Sequence, residues 1–118
     1  MLHPIKIKNN KLKRMKKEDI RKILLEKRQI LQKIDEAYDK VLDKGTRSEG
    51  LCELEKLRGQ DSAIPCILGH AHEMNFYENG HEIFEARKAI EEYERAISQG
   101  GYEFLRNDIE RIKQDACI

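Results

Sequence analysis

Residues 17–44 read KEDIRKILLEKRQILQKIDEAYDKVLDK, and their spacing decides the fold. Ile20, Leu24, Leu31, Ile34, Tyr38 and Val41 follow a 4-3-4-3-4-3 rhythm in which Lys27 fills the one polar slot. That rhythm puts them on one side of a helix; a strand would need a period of two. Ile23, Ile30, Ala37 and Leu42 broaden the stripe on both flanks. A broad stripe suits a helix packed against several others, whereas a two-stranded coiled coil needs only a narrow seam. Glu18 and Asp19 at the start, with Lys40 and Lys44 near the end, complement the helix dipole, and Gly45 predicts a left-handed stop.

Four shorter helices follow from the same reasoning. Leu51, Leu54 and Leu57 predict one over 47–58, with Ser48 as its N-cap. Ile64, Ile67, Leu68, Ala71 and Met74 predict a third over 62–77, capped by Ser62, with Pro65 in the first turn and Gly69 costing roughly 1 kcal/mol against alanine. After an Asn79-Gly80 turn, Ile83, Ala86, Ile90, Tyr93 and Ile97 predict a fourth over 81–98. Tyr102, Leu105, Ile109, Ile112 and Ala116 predict a fifth over 102–115. The expected fold is all-α: a single-domain helical bundle (17–118) built around the long first helix, behind an extended basic arm (1–16). The fourth helix is expected beside the first, with Leu24, Leu31, Ile34, Tyr38, Ile83, Ile90, Ile97, Leu105, Ile109 and Ile112 in the core.

The 118 residues are 38% charged and 6% aromatic, without tryptophan. No apolar run approaches the ~18 residues of a membrane span. Residues 1–17 lack the apolar centre of a signal peptide, and Cys52, Cys66 and Cys117 form no disulfide framework. A soluble cytoplasmic protein is the expectation, with no membrane partner. Net charge is +1 but unevenly spread: residues 1–17 carry Lys6, Lys8, Lys11, Lys13, Arg14, Lys16 and Lys17 and no acid. Unopposed cations attract nucleic acid or an acidic protein, so these seven are the expected partner-binding residues. They include no aromatic residue for stacking bases, which disfavours a single-strand reader. The plain alternative is a solvated tail.

Catalytic chemistry has little to stand on. Cys66 and His70 share a helix face as two zinc ligands would, and His72, Glu73, His81 and Glu82 lie nearby. No second close pair completes a tetrahedral site, and HAHE is not the zinc-protease order. No glycine-rich phosphate loop or oriented Cys–His pair is present. No catalytic residue, metal or cofactor is therefore expected. A helix-turn-helix across Asn79-Gly80 would need to send the acidic fourth helix towards phosphate.

KKEDIRKILLEKRQIL (16–31) and RKAIEEYERAISQGGYEF (87–104) resemble the coiled-coil regulators that reach into the secondary channel of RNA polymerase. Those proteins carry a four-cysteine zinc finger after their second helix; here no cysteine follows Tyr102 until Cys117. The expected function is thus a small non-catalytic interaction or regulatory protein that binds a macromolecule through charged helix faces and its basic arm. The partner expected first is a protein. The alternative is a nucleic-acid-binding or polymerase-associated transcription regulator, with the arm on phosphate and the bundle as a homodimer core.

Overall fold

Small residues determine which helices meet most closely. In the computed structural model, which describes side chains over residues 17–118, the helices are α1 (Leu2–Leu42), α2 (Arg47–Lys56), α3 (Ile64–Glu78), α4 (Ile83–Gly100) and α5 (Leu105–Ala116). No strand occurs among the described residues, so the fold is all-α. The chain divides into two structural units, Met1–Gln32 and Lys33–Ile118. The expected extended arm over 1–16, with Lys6, Lys8, Lys11, Lys13, Arg14 and Lys16, lies outside the described residues; Lys17 is exposed.

Within Lys33–Ile118 the most extensive pairing is α3 with α4, followed by α5 with α4. The expectation that α4 would lie along the first helix is thereby corrected. α4 buries Ala86, Ala89 and Ala96 completely, and α3 contributes Gly69 and Ala71 to its own buried face. Residues this small let two helix backbones approach closely. His72 meets Glu85 while Gly69 meets Tyr93, so the pair is antiparallel. Phe76, Ile90, Tyr93, Leu105, Ile109 and Ile112 fill the core between α3, α4 and α5. From the end of α1, Ile34, Ala37 and Val41 are buried.

Three residues expected in the core are exposed instead: Leu24, Leu31 and Ile83. Leu24 and Leu31 fall in the unit that ends at Gln32, and Ile83 opens the first turn of α4. Ile34, Ile90, Leu105, Ile109 and Ile112 are buried as expected, and Tyr38 and Ile97 partly so.

The helix ends also depart from the simplest reading. Gly59, Gly80 and Gly101 adopt positive φ, but Gly45 does not. Side chains close α1 in its place: the Thr46 hydroxyl donates to the Lys40 carbonyl at 2.8 Å, and Arg47 Nε donates to the Val41 carbonyl at 2.8 Å. Carbonyls left without partners in a last turn are thus satisfied without a left-handed residue. The N-cap of α2 is Thr46, not Ser48, and that of α3 is Ala63, not Ser62. Asp61 Oδ1 accepts the Ala63 N–H at 2.9 Å, and Pro65 stands in the first turn of α3 as expected.

Candidate functional site

Chemistry-bearing side chains line one face of α3. Cys66, His70 and Glu73 follow one another at helical spacing and border a cleft of about 270 Å³ with Tyr38, Tyr93 and Asp108. The Tyr38 hydroxyl and His70 Nδ1 share a hydrogen bond of 3.0 Å. Tyr93 donates to Glu73 Oε2 at 3.4 Å, and Arg111 Nη2 donates to Glu73 Oε1 at 2.6 Å. Burial pushes the Cys66 thiol up, and the nearby Asp108 carboxylate pushes it further. A thiol held in its neutral form is a poor nucleophile, so this cleft does not prepare Cys66 for covalent chemistry. Burial also raises the Tyr93 hydroxyl, with the Glu73 carboxylate adding to it, which keeps that hydroxyl a donor.

The structure places Cys66 and His70 on one cleft, as their helical spacing predicts, but engages His72 and His81 elsewhere. His72 Nδ1 lies 2.6 Å from Glu85 Oε2 on α4, and the His81 ring stacks edge-on against Phe76 at 4.8 Å. Among the described residues, no three of His, Cys, Asp and Glu gather as a metal site requires. Cys52, Cys66 and Cys117 are free thiols.

A larger cleft, about 540 Å³, runs past Glu55, Arg58, His72, Lys88, Glu92 and Arg95. Its charges largely satisfy one another. Glu92, 5% exposed, accepts from Arg58 at 2.8 and 3.2 Å and from Arg95 at 2.8 Å. Arg58 also pairs with Glu55, and Arg95 with Glu91. The same holds where α1 ends: Arg47, 3% exposed, donates to Glu78 at 2.6 Å and to Asn75 at 3.1 Å. Such closed networks hold helices in place and leave few donors for a ligand.

The opposite situation holds on residues 17–32. Ile20, Ile23, Leu24, Leu25 and Leu31 are all exposed, beside the exposed cations Lys17, Arg21, Lys27 and Arg28. Of the seven residues expected to bind a partner, Lys17 belongs to this surface. The sequence pattern does reveal the apolar row, but reading it as core misplaces its first half. Lys27, a charged residue within an apolar stripe, is the signal that this half is uncovered.

Charge divides at the same boundary. Residues 1–32 hold eleven Lys and Arg against three Asp and Glu, a net +8; residues 33–118 hold twelve against nineteen, a net −7. No helix among the described residues is long and apolar enough to cross a membrane. The chain matches no protein-family model, no curated protein and no solved structure.

Proposed function

We propose that this chain is a non-catalytic interaction protein that regulates a macromolecular partner, with Lys33–Ile118 as an acidic helical support and residues 1–32 as the binding element. The observation that carries this reading is the uncovered row of branched aliphatic side chains on α1 beside Lys17, Arg21 and Arg28. Contiguous apolar surface of this kind is unfavourable in water and is typical of a contact face. The non-catalytic part draws on the larger cleft, whose arginines and glutamates are largely paired with each other. A second reading, a nucleic-acid-binding or polymerase-associated regulator, is favoured by the eleven cations of residues 1–32.

The test compares the full chain with a variant carrying Gln at Lys6, Lys8, Lys11, Lys13, Arg14, Lys16 and Lys17. Both are used in quantitative capture from an extract of the native host. Saturable binding of one macromolecule, weakened about tenfold or more in the variant, is expected. For a nucleic acid, log affinity falls linearly with log salt, and the slope flattens in the variant. Absence of saturable binding to any macromolecule overturns the proposal.

A further inference from the structure

The two edges of the α1 row differ in charge, and that difference selects among partners. At ~100° per residue, Ile30, Ile23, Ile20, Leu31 and Leu24 sweep an arc of roughly 120°. Beyond Leu24 the surface continues as Lys17, Arg28 and Arg21, all exposed; beyond Ile30 it continues as Asp19 and Glu26 and then Lys22, also exposed. The edge at Leu24 is therefore basic and the residues bordering Ile30 acidic, with Lys27 inside the row.

We infer that this row seats a protein partner, an apolar groove whose wall on the Arg21 and Arg28 side carries carboxylates. The inference rests on the interaction reading above and names the partner's chemistry. A helix lying in an anionic lipid surface places both of its edges among headgroups, where Asp19 and Glu26 are repelled. Nucleic acid offers phosphate to the basic edge but nothing to cover five aliphatic side chains. A second copy meets like charge either way. Antiparallel pairing sets Arg21 and Arg28 against the same edge of the other helix, and parallel pairing in register sets Lys27 against its own counterpart. A groove with one acidic wall meets none of these conflicts. It covers the row as helix-in-groove complexes do, while the Lys27 stem lies across apolar surface and its ammonium reaches the rim.

The experiment places a photo-reactive residue in the full chain, in cells of the native host: Leu24→p-benzoylphenylalanine in one variant and Phe104→p-benzoylphenylalanine in another. Both positions are exposed, and they lie in different units. Circular dichroism verifies that each variant is folded. The expected result is a Leu24 adduct to one protein, mapping to an apolar groove with Asp or Glu along its rim. Arg21→Glu with Arg28→Glu reduces that adduct about tenfold or more, whereas Asp19→Lys leaves it within about twofold. A Leu24 adduct to lipid, to nucleic acid or to the chain itself overturns the inference, as does an adduct insensitive to the arginine reversal. An adduct at Phe104 without one at Leu24 overturns the inference and the assignment of residues 1–32 as the binding element, and leaves standing only the reading of the chain as an interaction protein. No adduct at either position removes both.

Discussion

Gly69 lies against the ring of Tyr93 so closely that a Cβ there would stand 2.5 Å from Tyr93 Cδ1. Tyr93 is buried in the core and cannot turn aside, so glycine in the middle of α3 sets the approach of α3 to α4. In an open helix, glycine to alanine gains about 1 kcal/mol. Here overpacking opposes that gain, at about 1–3 kcal/mol or more. Gly69→Ala is expected to lower the midpoint of urea unfolding; a raised midpoint means the two helices can separate at little cost.

Burial separates two stripe positions that periodicity alone assigns alike to the core. Leu31 is 44% exposed and Ile112 is fully buried. Ile112→Ala is expected to cost about 2–5 kcal/mol, enough to threaten a marginal domain. Leu31→Ala is expected to change stability by about 0.5 kcal/mol or less, as surface substitutions do. Denaturant titration of both variants checks the order.

Arg47 joins three segments through one guanidinium, bonding Val41 in α1 and Asn75 and Glu78 in α3. Lysine has the charge but not the planar fork. Arg47→Lys is therefore expected to leave acceptors unmatched and to destabilise by about 1–3 kcal/mol. A thermal melt indistinguishable from that of the unaltered protein contradicts this account.

The hydrogen bond from Arg47 holds the Glu78 carboxyl below its usual value of 4.5. A carboxyl whose pKa is depressed on folding stabilises the folded state above its unfolded pKa. That contribution fades as pH falls through the folded value. The gap in melting temperature between the unaltered protein and Glu78→Gln should be constant above about pH 4.5 and close below it. Melts from pH 7 to pH 3 read this directly; a gap independent of pH rules out the linkage.

Thiol reactivity should separate the three cysteines. Cys52 and Cys117 are exposed, whereas Cys66 is half-buried and its thiol is raised by burial. At pH 8, Cys66 is expected to label with a maleimide at least about tenfold more slowly than the other two. Mass spectrometry of tryptic peptides over a time course gives the order, and early labelling at Cys66 contradicts it.

Helix content and the number and approximate order of the helices were legible in the sequence, because a 3.6-residue period is a local property of each segment. Asn79-Gly80 marked its turn for the same local reason, and Gly80 adopts the positive φ such a turn needs. What the stripes met was not legible. Ile34 and Leu31 belong to one periodic row, yet one is buried and the other exposed. Periodicity shows which residues share a face but not whether another helix covers it. That depended on side-chain volume at distant positions, with Gly69, Ala86 and Ala89 drawing α3 onto α4. The closure of α1 by Thr46 and Arg47, in place of a left-handed Gly45, also needed tertiary structure, since Arg47 is held there by Asn75 and Glu78. The candidate contact face was written in the sequence only as Lys27, a charge out of place in an apolar row; folding left that row uncovered.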